Sequence, residues 1–289
     1  MDINIENTTF IIVSYKSEKI IYNCLDSLPD NSIKIIIENS KNLNLKKDLE
    51  SKYKNLTVLL NENSGFGAAN NLGIKKCNTQ FAYILNPDVT LKKDTFNNLS
   101  KSCLDIPDFA IISPVHSDKN YPNYKVRKKY DVMKANVLEV DDIDGFSMLI
   151  NKNSFKEENY FDENFFLYLE NNDLCLRVKK KNQKIYVILN SFIDHKGGAS
   201  SDPNFSSKIE CLKNWHWMWS KFYYNKKHYG YIYGLIKTFP NFFTAFFKVI
   251  FYSITKNQIK KDIYKMRILG LVRSYILKDS NYRPYKSNS

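Results

Sequence analysis

The chain has 289 residues, is 43% hydrophobic and 25% charged, and carries a formal net charge of +13. That length allows one large α/β domain, or a domain of about 200 residues with an appendage, and the composition is that of an ordinary globular protein. Five scattered cysteines, odd in number and never in a Cys-x-x-Cys pair, argue against a disulfide framework or a zinc ribbon and suit a reducing compartment. The opening MDINIENTTF has neither a basic n-region nor an apolar h-region, so no signal peptide is expected. The charge is unevenly placed. Residues 1–202 contain 27 Lys/Arg and 27 Asp/Glu, whereas residues 203–289 contain 16 and 3, so the whole imbalance sits in the last 87 residues. A boundary at 202/203 follows.

TTFIIVSYKS (8–17) is a β-branched run ending in polar residues, as a buried first strand would. Ile20, Ile21, Cys24, Leu25 and Leu28 have helical spacing. SIKIIIENS (32–40) reads as a second strand and LTVLLNENS (56–64) as a third. GFGAANNLGIKKC (65–77) reads as a glycine-containing turn running into a helix, and FAYILNPDVTL (81–91) as a fourth strand stopped by Pro87. Strands alternating with helical patterns predict βαβ units and a mainly parallel sheet, with function at the carboxyl ends of the strands. Tyr15, Glu38 and Asp88 fall at such ends. Residues 114–140 read as a polar loop region, DGFSMLINKNSF (144–155) as another strand, and 164–181 as mixed helical and aromatic. KIYVILNSFIDHKGGASS (184–201) is a strand and short link that bring His195 to a Gly-Gly turn.

The tail, 214–255, is dense in aromatics but carries Lys237, Pro240 and Lys248, and the longest stretch between those lysines is ten residues. A bilayer span needs about 20. Aromatic and apolar residues interleaved with lysines suit helices lying in a membrane interface, and 256–278 adds a basic amphipathic helix attracted to anionic lipid. No nucleic-acid motif accompanies this charge, so a nucleic-acid partner is not expected.

Several residues could carry chemistry. Asp88 in LNPDV is either a turn residue or a ligand for Mg²⁺ or Mn²⁺, with Asn86 on the same face of the strand. His195 is structural or solvated unless Asp88 comes near it, in which case the two suit a divalent ion with diphosphate oxygens. Glu170 and Asp173 stand three apart, on roughly one face of a helical turn. Asp173 has Arg177 at i+4 as an ion-pair partner. Glu170 follows FFLYL, an apolar wall that would raise its pKa and suit it to general-base work. NENSGFGAANNLGI (61–74) is neither a Gly-x-Gly-x-x-Gly nor a Walker sequence; a helix N-cap at Asn63 or Ser64 is its plain reading.

Taken in order, FIIVSYKS, IIIENS, NENSGFGAANNLGI, YILNPDV, GFSMLINKNSF, FDENFFLYLENNDLCLR and IDHKGGAS resemble the family 2 glycosyltransferases, especially their bacterial rhamnosyltransferase-like branch. The resemblance runs from about residue 9 to 200. It implies a GT-A fold (α/β, with the helical, basic, aromatic-rich tail appended), a nucleotide-sugar donor, a divalent metal (Mg²⁺ or Mn²⁺) and transfer with inversion. Residues 1–110 would bind the nucleotide sugar, 111–202 would form the acceptor side and catalytic motif, and 203–289 would associate with a membrane. The implied donor-binding set is Tyr15, Glu38, Asn63, Gly65, Asn70, Asn86 and Asp88; Glu38 replaces the family's usual Asp beside the nucleobase and ribose. Asp88 and His195 would hold the metal, and GFSML would line the acceptor side. The family's motif usually reads Glu-Asp-x-Asp or Asp-Asp-x-Asp, with the second acid as base; here that position is Asn171, which cannot take up a proton. Glu170 is then the expected base, with Asp173 as the other catalytic candidate. The alternative is an inactive sugar-nucleotide-binding subunit of a polysaccharide assembly complex. The expected donor is dTDP-rhamnose, ahead of UDP-linked sugars. The expected acceptor is a glycan or a polyprenyl-diphosphate-linked lipid, met at the cytoplasmic face of the cell membrane.

Overall fold

The structure, a computed structural model, describes residues 1–104, 106, 108–127, 132–134, 136–155, 160–197 and 206–283. The chain forms two compact units: Met1–Asp162 with Asn171–Ser201, and Glu163–Glu170 with Asp202–Ser289.

The first unit is built on one mixed sheet. Strands β1 (Thr8–Ser14), β2 (Ile33–Glu38), β3 (Leu56–Leu60) and β4 (Phe81–Leu85) alternate with helices α1 (Ile21–Asp26), α2 (Leu43–Lys52) and α3 (Phe66–Lys76). They pair in parallel in the order β3-β2-β1-β4. The chain then adds β5 (Val89–Leu91), α4 (Thr95–Cys103), β6 (Ile111–His116), β7 (Tyr124–Lys125), β8 (Val132–Lys134), β9 (Val137–Glu139), β10 (Asp142–Ile143), β11 (Ser147–Asn151), α5 (Glu170–Lys180) and β12 (Ile185–His195). From β4 the sheet continues β11-β6-β12-β9-β8. β11 is antiparallel to both neighbours, whereas β6 and β12 run parallel.

Every residue of β1 is buried, because the sheet is covered on both faces, which is why its sequence is apolar without alternation. Phe10 and Ile12 pack with α1, α2 and α4, through Cys24, Leu49 and Leu99 among others. Ile11 and Val13 point the other way, into a second cluster with Ala69 and Ile74 of α3 and Leu174 and Val178 of α5. Helix α3 lies so close to β1 that a Cβ on Gly73 would stand 2.5 Å from Cγ2 of Ile11.

Residues 114–140, read from sequence as a loop, begin inside a central strand. β6 carries Pro114, whose missing N–H argues against an interior strand. The ladder explains its tolerance: β11 pairs with β6 only at Ile111 and Ile112, so Pro114 stands beyond the last paired residue on that side. The run 81–91 is two strands, β4 and β5, with Asn86–Asp88 between them.

The second unit comprises three helices, α6 (Ser206–Tyr229), α7 (Tyr231–Ile254) and α8 (Gln258–Tyr275), around Met218, Phe222 and Leu271. Residues 163–170 belong to it: Phe165 packs edge-on to Tyr223 with ring centroids 4.8 Å apart, and Ser220 Oγ donates to the Leu167 carbonyl at 2.8 Å. Helix α7 turns Gly234, Thr238 and Ala245 inward. On the opposite side Ile232, Ile236, Phe239, Phe243, Phe247 and Ile250 recur every three or four residues and are 44% to 73% exposed. α7 contains two lysines and no acidic residue. No helix among the described residues is long and apolar enough to cross a membrane.

Because Ile11 is anchored in the sheet centre, Gly73→Ala should destabilise the first unit by about 1–3 kcal/mol through overpacking. A fall in the urea midpoint with an unchanged slope would bear this out; an unchanged midpoint would show that α3 can move away.

Candidate active site

The parallel ladder ends in register at Ser14, Glu38 and Leu60, and the residues just beyond form the carboxyl edge of the sheet. Tyr15 lies there, half-buried. Burial raises its phenol pKa, and its hydroxyl bonds to the Asn63 side chain. Glu38 is fully buried, and its carboxylate accepts from the Ser40 backbone N–H and hydroxyl and from Asn42 N at 2.6 Å. With three donors from its own turn, the Glu38 carboxylate is held in place and shapes the strand end.

Asn63 Oδ1 accepts from Gly65 N at 3.2 Å, and Gly65 (φ 102°) adopts a backbone conformation that favours glycine. It leads into α3 with no side-chain cap, so the first-turn N–H groups are left to meet a ligand or water. One turn in, buried Asn70 donates from Nδ2 to the Phe66 carbonyl at 3.0 Å, while its Oδ1 has no protein partner.

The turn between β4 and β5 leads to Asp88. β5 pairs antiparallel with the end of β12, placing Val89 opposite His195. That register sets His195 Nε2 3.3 Å from Oδ1 of Asp88, which is 5% exposed. The pair lacks hydrogen-bond alignment, and Asp88 Oδ1 has no hydrogen-bond partner in the protein. The imidazole stacks on Phe146 with ring centroids 4.0 Å apart and planes 17° off parallel, and Asn86 N donates to the Phe146 carbonyl at 3.0 Å. A hard carboxylate oxygen left unsatisfied beside an imidazole nitrogen fits Mn²⁺ or Mg²⁺. No third His, Cys, Asp or Glu joins them among the described residues, so most coordination positions would fall to ligand oxygens and water.

Helix α5 opens on the aromatic-framed motif. Glu170 is buried, its Oε2 has no partner, and burial pushes its carboxyl up to about 7, partly offset by its own backbone N–H. Asp173 is fully buried and accepts from Arg177 Nε at 2.8 Å. Arg177 also donates to the Tyr160 carbonyl. Its carboxylate therefore has the ion-pair partner that the i+4 spacing predicts.

Asn171 donates from Nδ2 to the Ile143 carbonyl at 2.8 Å, and its Cβ lies 3.3 Å from where a Cβ on Gly145 would stand. Asn172 donates to Asp142 Oδ1 at 2.9 Å. Both amides thus fasten α5 to β10. Sequence reasoning missed this use, although an amide at a position where an acid is usual is itself a signal: only the amide can donate. It also missed Asn71, which grips the Phe161 backbone from both sides, donating at 2.8 Å and accepting at 3.0 Å.

Residues 9–171 match the sequence model of Glycosyl transferase family 2, more than half of the chain. The chain belongs to this family. Among its relatives is the low-salt glycan biosynthesis hexosyltransferase Agl10 of Haloferax volcanii, 24% identical over 63% of this chain and 64% of that protein. The chain thus spans just under two thirds of that relative's length. Rhamnosyltransferase WbbL of Escherichia coli K12 is 26% identical over 62% of this chain and 79% of that protein. Among solved structures, the mannosyltransferase PcManGT of Pyrobaculum calidifontis, in complex with GDP-Man and Mn²⁺, superposes with a TM-score of 0.56 at 10% identity, covering 93% of this chain and 86% of that one. GalNAc-T7 with UDP, GalNAc and Mn²⁺ gives 0.54 at 11% identity, over 79% of this chain and 56% of that one. These structural neighbours have the GT-A fold, and the first unit shares it.

Asn171→Asp should cost about 1–3 kcal/mol at pH 7, because a carboxylate would face the Ile143 carbonyl with no proton to donate. The new carboxyl would have a raised pKa in the folded state, so the loss should shrink as pH falls through that value. Thermal unfolding from pH 4 to 8 reads this. A variant as stable as the parent, with greater turnover, would instead mark Asn171 as the site of a lost base.

Proposed function

We propose that the protein is an inverting glycosyltransferase that moves a sugar, rhamnose first, from a nucleoside-diphosphate donor to a glycan or lipid-linked acceptor in surface polysaccharide synthesis. The observation that carries this reading is the approach of Asp88 to His195 at 3.3 Å, with the Asp88 oxygen otherwise unsatisfied, at the carboxyl edge of a family 2 sheet. The 26% identity to a rhamnosyltransferase favours rhamnose, and the Mn²⁺ named with two structural neighbours favours a divalent ion.

In this mechanism Asp88 Oδ1 and His195 Nε2 would hold the cation. When bound, such an ion neutralises charge on the leaving diphosphate. The chain's own residues do the rest. Tyr15 and Asn63 border the nucleoside, and the uncapped first turn of α3 offers N–H groups to anionic oxygens. The acceptor hydroxyl attacks the anomeric carbon, the carbon–oxygen bond to the diphosphate breaks with its electron pair on the phosphate oxygen, and Glu170 takes the hydroxyl proton. A carboxyl with a pKa of about 7 is half ionised near neutrality and is well matched to that transfer.

The exposed face of α7 docks this enzyme on anionic lipid at the cytoplasmic surface of the membrane. Support comes from charge as well as apolarity: residues 203–289 contain 16 basic and 3 acidic residues. That excess repels a second copy and attracts acidic headgroups, by ~1 kcal/mol per Lys or Arg near the surface.

Thermal shift with dTDP-rhamnose, UDP-sugars and GDP-sugars, each with and without Mn²⁺, tests the donor site. One donor should add about 2.7 kcal/mol at ~100 times its dissociation constant, only with Mn²⁺. Asp88→Ala should abolish the gain and His195→Ala reduce it; a full shift in Asp88→Ala would remove the metal site. Flotation with anionic vesicles tests the docking face. The triple variant Ile236→Asp, Phe243→Asp, Phe247→Asp should lose about tenfold or more in recovery, while neutral vesicles recover little of either protein. Equal recovery of both proteins would overturn it, and a dimer lost in the same variant would assign the face to a second copy.

A further inference from the structure

Tyr168 (φ 71°) and Leu169 (φ 68°) are consecutive non-glycine residues in the left-handed region, immediately before Glu170. Side chains with a Cβ adopt this conformation rarely and at a cost, and it persists where the surroundings over-determine it. Those surroundings lie within the helical unit. Phe166 packs against two groups that also touch each other: His216 of α6 lies 4.5 Å away between ring centroids, and the Arg283 guanidinium carbon stands 3.3 Å from the ring centre. Trp217 meets Tyr168 edge-on at 5.4 Å. Ser220 bonds the Leu167 carbonyl, and Phe165 packs on Tyr223. The clamp is itself locked, since buried His216 bonds Ser280 Oγ at 2.8 Å and the Tyr282 carbonyl at 2.9 Å. Burial drops the His216 pKa to about 3, so the ring is neutral at working pH and the lock does not titrate there.

We propose that the helical unit positions Glu170: α6 and residues 280–283 fix 165–168, and the left-handed turn transmits that geometry to the first residue of α5. The catalytic significance of this rests on Glu170 being the base, as proposed above; the placement itself does not. Phe166 and Ser220 are thus positioning residues. The helices would then act on the chemistry as well as on the membrane, and the aromatic density of residues 163–170 gains a reason: these side chains anchor the segment within the helical unit.

The test follows the Glu170 carboxyl directly in the full-length protein. Selective ¹³C labelling of glutamate side chains, with the Glu170 signal assigned by its loss in Glu170→Gln, gives its titration midpoint, expected at about 7. Tyr168, Glu210, His216, Tyr223, Lys227 and Arg283 are titratable or charged groups about the segment, and the unfolding temperature followed in parallel shows that each variant stays folded over the titration. Phe166→Leu and Ser220→Ala should lower the midpoint by about one unit, a tenfold change in ionisation, as the turn relaxes and water reaches the carboxylate. Ser220→Thr, which keeps the hydroxyl, should restore it. Leu271→Ala, a core change away from the segment, should lower the unfolding temperature without moving the midpoint. An unmoved midpoint in both folded variants, or an equal shift in Leu271→Ala, would overturn the proposal. Nucleotide release from dTDP-rhamnose with Mn²⁺ by Glu170→Gln separates the two readings: full turnover there removes the base, whereas the titration alone decides the positioning.

Discussion

Three backbone pairs bring a buried carboxylate and an imidazole together at the edge of the sheet. β5 is three residues long, and its register against β12 sets Val89 opposite His195. From that register follow the meeting of Asp88 with His195 and the stacking of His195 on Phe146. β12 reaches β5 only because it continues past a shift in its own pairing with β6, between Ile188 and Phe192. The shift lies beside Pro114, so an imino acid in one strand, an irregularity in the next and a carboxylate–imidazole pair at the edge are parts of one arrangement.

Buried polar groups here are satisfied almost wherever they build the frame and left open where a ligand is expected. Glu38, Asn71, Asn171 and Asp173 all have partners. Asp88, Asn70 and Glu170 each keep one oxygen without any. An unmade hydrogen bond in a dry environment is costly, so a carboxylate or amide oxygen left in that state marks a place where something else completes the bonding. Ser14 Oγ, Ser32 Oγ and Arg267 Nε are likewise without a hydrogen-bond partner, so the contrast is a tendency and not a rule.

Much of the first half of the fold was legible in sequence, since buried parallel strands are apolar throughout and their helices have the expected period: β1 to β4 and α3 lie where the pattern places them. β6 was not legible, because Pro114 disguises it and its neighbours come from distant stretches of chain. Asp88 and His195 could be named individually, but their meeting depends on a pairing across 100 residues that no local pattern encodes. Glu38 lies where the pattern places it, but its hydrogen bonds to Ser40 and Asn42 were not legible, because those residues look like ordinary turn formers. Asn171 read as a missing acid because a sequence shows what a side chain cannot accept more readily than what it donates to.

The division of the chain has a practical consequence for anyone wishing to handle the sheet unit alone. The charge boundary near 202 invites trimming there, yet Phe165 and Phe166 are buried in the company of the helices. A shortened chain would keep these two rings and lose what covers them. It would also keep two strained backbone residues with nothing to enforce them, just where Glu170 begins its helix. A fragment that looks cleaner by charge would be stickier through the two rings it lays bare.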